Sequence, residues 1–153
     1  PDFNFLGYNY RMTDIQGSVG IAQIKKLNRI IKERSKWASF YRRELSKIEW
    51  ILCPSEPKVG RHSWQAFVVY INAESSPRKR NEIMEFLDSK GISTRPGTHA
   101  IHTLNYYEKK FNFKPKSFPN AFDCQNNTIA LPLHNFMNKS DYEYIVKCIK
   151  EIK

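Results

Sequence analysis

The sequence predicts an α+β domain in which a small sheet is covered on one side by helices. Three observations carry this. Segments follow one another as long helix, strand, helix, strand, two short helices, strand and helix. The strand-like runs are short, rich in β-branched and aromatic residues, and bounded by turn residues. The 153 residues suffice for one sizeable core, which favours a single domain.

The first helix is announced by Thr13-Asp14-Ile15-Gln16, a capping box in which the hydroxyl takes an orphan N–H and Gln16 reaches back. Apolar residues recur from there at mostly helical spacing: Ile15, Val19, Ala22, Ile24, Leu27, Ile31, Ala38, Tyr41, Leu45 and Ile48. A helix over 14–47 would be roughly 50 Å long, more than a domain of this size is wide. Either it breaks or it is a spine leading to another body. Gly17 and Gly20 each weaken it by about 1 kcal/mol relative to Ala, and close approach of another backbone would compensate.

After the turn CPSEPKVGRH, the run SWQAFVVYINA reads as a strand through the middle of a sheet. SSPRKRNEIMEFLDSKG then reads as a helix with a Ser cap, Pro in the first turn and Gly at the end. ISTR is a second short strand. Residues 104–111 and 121–127 form two short helices separated by KPKSFPN, TIALPL is a third strand, and Ser140 with Asp141 caps a last helix. No internal repeat or low-complexity tract is present.

Lys and Arg number 25 against 15 Asp and Glu, a formal charge of +10, which points to a phosphate-bearing partner: nucleic acid, nucleotide or cofactor. The basic runs lie on different elements and read as solvated faces, and no RNP, KH or zinc-finger pattern supports nucleic acid. No apolar run approaches a membrane span, so the chain reads as soluble. The start PDFNFL lacks an initiator Met and any signal-peptide pattern and reads as part of something longer. Cys53, Cys124 and Cys148 have no CxxC spacing, which argues against a disulfide framework and for buried thiols in a reducing compartment.

Of the four histidines, His99 and His102 stand three apart in GTHAIH, yet no Glu lies between them in the HExxH manner and no third ligand is evident, so no metal is expected. The stretch TRPGTHAIHTLNYY gathers Arg, Gly, two His and two Tyr at the end of a strand. It reads either as a loop of satisfied polar groups or as a polar ligand site, with Arg95 for anions and the imidazoles for hydroxyls. No nucleophile elbow, P-loop, GxGxxG or carboxylate pair is present. The residues alone name no enzyme.

Three stretches, in order, carry a resemblance: GYNYRMTDIQGSVGIAQIKKL, GISTRPGTHAIHTLNYY and TIALPLHNFMNKSDYEYI. With them the chain resembles the C-terminal part of the DegT/DnrJ/EryC1/StrS family, the pyridoxal phosphate-dependent sugar aminotransferases. The resemblance implies the small C-terminal domain of a fold type I transferase, with a mostly antiparallel sheet and a long connecting helix before it. It divides the chain into a loop at the cofactor and dimer site, 1–12, and the linking helix plus small domain, 13–153. The family's Schiff-base lysine, the carboxylate at the pyridine nitrogen and the stacking aromatic belong to an upstream large domain. No lysine here stands in the Ser-x-His-x-x-Lys context, so no catalytic residue is assigned and this chain alone is expected to be inactive.

The resemblance further implies a homodimer with shared active sites, in which Asn9 reaches the cofactor phosphate of the neighbouring subunit and Arg11 lies close by; the plainer reading pairs Arg11 with a carboxylate on its own helix. His102 matches the histidine of the family's Pro-x-His loop near the sugar nucleotide, and Tyr106 or Tyr107 the tyrosine after it; Arg95, His99 and His102 are given roles beside the sugar nucleotide. RPGTHAIH lacks the usual His-Tyr before that loop. The implied reaction moves an amino group from glutamate to a nucleotide-linked keto-sugar in the cytoplasm, for surface polysaccharide or amino-sugar synthesis. A sugar dehydratase of the same family, a stand-alone binding module and a basic nucleic-acid-binding domain are the other readings. An exposed apolar side over residues 3–24 is also expected.

Overall fold

The computed structural model describes residues 4–153. Thr13 closes the expected capping box: its Oγ1 accepts the Gln16 N–H at 3.3 Å and Gln16 Oε1 accepts the Thr13 N–H at 3.0 Å. Helix α1, Asp14–Ile24, starts there, and α2, Leu27–Leu45, follows. The helix foreseen over 14–47 is therefore broken at Lys25 and Lys26. Both residues stay right-handed, but Lys26 N–H bonds to Gln23 O, a tightened turn in place of an α-helical one. No side chain from 21 to 29 is buried, so no packing holds the ladder straight at this point.

The two helices differ in what they bury. Among the residues of α1 none is buried, whereas α2 buries Trp37, Ala38, Tyr41 and Leu45 along one stripe. Trp37 stacks on Tyr142 at 4.2 Å, and the Tyr41 hydroxyl donates to Pro132 O at 2.9 Å. Burial lifts the Tyr41 phenol far above its ordinary pKa, so it stays a neutral donor. The close backbone approach foreseen at Gly17 and Gly20 is not supplied by the described residues: among them a Cβ would meet only Met12 Cε, at 4.0 Å, at Gly17 and nothing within 4 Å at Gly20.

The sheet has four strands in the order β1-β2-β4-β3, every pair antiparallel: β1 Ile51–Leu52, β2 Phe67–Ile71, β3 Arg95–Pro96 and β4 Thr128–Leu131. β2 lies between β1 and β4, as its composition predicts. β1 is an addition to the expected set. Phe67, Val69 and Ile71 alternate into a core shared with Tyr41, Leu45, Ile83, Leu87, Ile145 and Ile149. Helix α3, Arg80–Ser89, contributes Ile83 and Leu87, and α6, Lys139–Lys150, contributes Ile145 and Ile149. Two shorter helices, α4 Asn105–Phe111 and α5 Pro119–Asn127, lie where two were expected.

Local chemistry moves three boundaries. α3 starts at Arg80 and not at the Ser-Ser-Pro run, because Ser76 Oγ donates to Arg78 O at 2.7 Å and Glu82 closes on the Lys79 N–H at 3.1 Å. α6 is capped by Asn138, whose Oδ1 accepts the N–H groups of Ser140 and Asp141 at 2.9 and 3.3 Å, so these two belong to the first turn. The strand foreseen over ISTR pairs only at Arg95 and Pro96. Ile92 N–H is spent on Leu87 O at 2.9 Å in the Schellman end of α3, where Gly91 takes a φ of +75°. Pro132 has no N–H to extend β4 toward Ser93.

A polar latch ties α2 to the sheet. Arg34 Nη1 donates to Trp64 O and Gln65 O, both at 2.9 Å, and Nε donates to Asn135 Oδ1 at 3.3 Å. Trp64, fully buried, has a φ of +50°, a conformation a bulky residue adopts only under constraint. His62 Nδ1 accepts its N–H at 2.8 Å, so the peptide is fixed from both sides.

Candidate functional site

Asn9 and Arg11 are exposed, in the segment before α1. Asn9 Oδ1 accepts the Arg11 N–H at 3.1 Å, an Asx-type bond that fixes the carboxamide and leaves its NH2 group as a donor. The ion pairs among the described residues do not include Arg11, so pairing on its own helix is not the arrangement there. One amide donor and one guanidinium, just ahead of a helix N-terminus, fit the phosphate of a cofactor. Around them Phe5, Leu6, Tyr8, Tyr10, Met12 and Ile15 are exposed, Leu6 at 96%. The described part of the apolar side foreseen over 3–24 is thus uncovered in this chain; Phe3 lies outside the described residues.

The second group forms on the loop after β3. Gly97 is required there: its N–H donates to Thr128 O at 3.1 Å, and a Cβ would meet Val68 Cγ1 and come within 2.6 Å of Thr128 Oγ1. The loop is then pinned by Gln125 of α5, whose Oε1 accepts the Ala100 N–H at 2.7 Å. His102 is buried and its Nε2 lies 3.0 Å from Pro115 O. A carbonyl only accepts, so Nε2 carries the proton and donates. Phe118 packs on the imidazole at 5.0 Å, and Phe113 meets Phe118 edge-on at 5.3 Å.

These contacts border an open hollow of about 350 Å³ lined by His99, Ile101, His102, Tyr107, Phe113 and Phe118. The structure therefore brings His99, His102 and Tyr107 together. Arg95 does not join them. It lines a separate cleft of about 550 Å³ between the β3–β4 edge and α6. The structure thus does not bring Arg95 into the hollow of the histidines. Asn9 and Arg11 line neither cavity.

Gln125 and Pro115 hold this site and were not singled out from the sequence. Each acts on a residue at least 13 positions away, and no local pattern marks such a pairing. No group of three or more His, Cys, Asp or Glu among the described residues is arranged to hold a metal ion. No helix of the structure is long and apolar enough to cross a membrane.

Comparison with known proteins covers nearly all of the chain. It is 33% identical over 146 residues to the uncharacterized protein MJ1066 of Methanocaldococcus jannaschii, covering 95% of this chain and 38% of that protein. It is 29% identical over 147 residues to the spore coat polysaccharide biosynthesis protein SpsC of Bacillus subtilis, with the same coverage, 95% and 38%. The chain thus spans 38% of the length of these relatives. Its fold superposes on Spr1654 of Streptococcus pneumoniae in the PLP form with a TM-score of 0.87 at 23% identity, covering 99% of this chain and 38% of that one. The sequence pattern of one family matches residues 2–150, and the chain belongs to it: the DegT/DnrJ/EryC1/StrS aminotransferase family.

Proposed function

We propose that this chain is the small-domain part of a pyridoxal phosphate-dependent, cytoplasmic sugar aminotransferase that moves an amino group from glutamate to a nucleotide-linked keto-sugar. The observation that carries the reading is the segment from Phe5 to Arg11. It presents two phosphate donors on a strip of apolar side chains that buries nothing against its own chain. A segment of that kind is built to meet a second body, here the large domain and the partner subunit of a homodimer. Residues 1–12 serve as this contact, and 13–153 as linking helix and small domain.

Asn9 and Arg11 would hold the cofactor phosphate. Bound, pyridoxal phosphate supplies the electron sink for amino transfer, carried on a lysine that we place outside this chain. The hollow at the loop after β3 takes the sugar nucleotide. His99, exposed, offers a hydrogen bond to a sugar hydroxyl, and the Tyr107 hydroxyl offers another. Phe113 and Phe118 give the apolar faces on which a ring packs. His102 is a positioning residue: its proton is committed to Pro115 O, which fixes the turn that presents Tyr107. The positive net charge suits a substrate that carries a pyrophosphate. The family and the polysaccharide role in the name of SpsC support a sugar substrate.

The coding region upstream of Pro1 tests the reading. A lysine in a Ser-x-His-x-x-Lys context supports the aminotransferase. A histidine in its place overturns it in favour of a dehydratase, and an in-frame start just before Pro1 in favour of a stand-alone binding module. In the full-length protein, Asn9→Ala and Arg11→Ala should each weaken cofactor binding about tenfold or more, the worth of a charge-assisted bond. Unchanged cofactor affinity in both variants would remove these residues from the site.

A further inference from the structure

The cleft that holds Arg95 belongs to neither group of residues assigned above. It exists because β3 is short. Ile92 N–H is spent on α3 and Pro132 has no N–H, so the chain before Arg95 splays away from the end of β4. α6 closes the gap from the side. The result is a cleft of about 550 Å³, a size that suits a small organic molecule.

Its lining is selective. Ile92, Leu131 and Ile145 form an apolar floor, all three buried. Arg95 is exposed at the rim, and the ion pairs and side-chain hydrogen bonds among the described residues do not use its guanidinium. His134 also lines the cleft; its Nδ1 accepts the Phe136 N–H at 3.3 Å, which leaves the proton on Nε2 as a second donor. Asp141 is the one carboxylate of the lining, and its Oδ2 is held by the Asn138 N–H at 2.8 Å, so it stays in place.

From this arrangement we infer that the Arg95 cleft binds a small organic monocarboxylate with an apolar body. The guanidinium takes the carboxylate as a paired, planar contact. The floor covers the hydrocarbon. The fixed Asp141 carboxylate opposes a second negative charge, which separates a monocarboxylate from a phosphate dianion. This site is independent of the amino-transfer reading, since it shares no residue with the hollow of His99, His102 and Tyr107 or with Asn9 and Arg11.

The test is a titration of the 153-residue chain with 4-methylpentanoate, 4-methylpentanol and inorganic phosphate, followed by amide and Arg Nε NMR shifts. Saturable shifts at Ser93, Arg95 and Ile145 are expected for the acid in the millimolar range. The alcohol and phosphate should each bind about tenfold more weakly or worse, the difference a charge-assisted hydrogen bond makes. Arg95→Gln should lose the acid by about the same factor, while its core resonances around Phe67 stay in place and show that it folds. No saturable shift with the acid, equal binding of phosphate, or undiminished binding by the folded variant would each overturn the inference.

Discussion

Residues 4–24 and residues 30–152 obey the same sequence rules and meet different fates. Both contain a helix with apolar residues at helical spacing. In α1, Ile15 is 78% exposed and Ile24 is 70% exposed, while in α2 Tyr41 and Leu45 are fully buried. The periodicity of apolar residues therefore records that a helix has a partner face, and not that the partner is in the same chain. α1 is held by its capping box and its own ladder over 11 residues, a length that is marginal for an isolated helix in water. α2 is held by Trp37, Tyr41 and the Arg34 latch.

The largest test of this contrast is amide hydrogen exchange on the isolated chain. Residues 14–24 should exchange faster than the strand around Phe67 by about three orders of magnitude or more, the span between local fraying and global opening. Equal protection in a monomer would abolish the distinction between the two regions. Next in size, Tyr41→Ala should cost about 3–5 kcal/mol in urea unfolding, as large aromatic truncations in a core do. Ile15→Ala should stay within about 0.5 kcal/mol. A large loss at Ile15 would mean that α1 packs on something within the chain.

The glycines sharpen the comparison further. Gly97→Ala forces a methyl against Val68 and Thr128 and should destabilise by about 1–3 kcal/mol, with the largest amide shifts in the loop that carries His99. Gly20→Ala meets open space, so it should raise helix content by circular dichroism through a gain of about 1 kcal/mol in helix propensity. The smallest effect concerns Glu44, which joins α2 to α6 through Lys150 at 3.1 Å and also meets Arg43 and Lys47. Hydrogen bonds from Arg43, Lys150 and Lys47 hold its carboxyl at about 2, below the ordinary 4.5. Because the folded value is the lower one, its contribution is complete above pH 4.5 and is lost as the pH falls toward 2. Glu44→Gln should lower the midpoint of thermal unfolding slightly at neutral pH and flatten its fall across that window; curves parallel down to pH 2 would assign the acid sensitivity to other groups.

Much of the fold was legible because its signals are local. The Thr13 box, the β-branched and aromatic content around Phe67, the two short helices and the Gly91 stop each depend on a few neighbouring residues. What escaped depends on pairs far apart in sequence. β1 exists because Ile51 finds Ile71, and β3 shrinks because Pro132 stands opposite Ser93. The cap of α6 was misplaced by two residues because Asn138, Ser140 and Asp141 are all good capping types and only geometry chooses among them. At the site, His99, His102 and Tyr107 come from one short stretch of sequence and line one hollow. Arg95 stands four residues before His99 and yet lines a different cavity, which no local pattern marks.

The contact of Trp37 with Tyr142 spans most of the chain, and the pairing of Phe67 with Leu131 spans much of it. During synthesis, then, α2 and β2 leave the ribosome long before the elements that cover them. Until α6 has emerged, Trp37 lacks the Tyr142 ring that stacks on it and the core they share with Tyr41 and Phe67 is incomplete, so this core closes late in the synthesis of these residues. A chain cut short within α6 would keep Trp37 and the sheet but lose Ile145, Cys148 and Ile149, the residues that complete their cover.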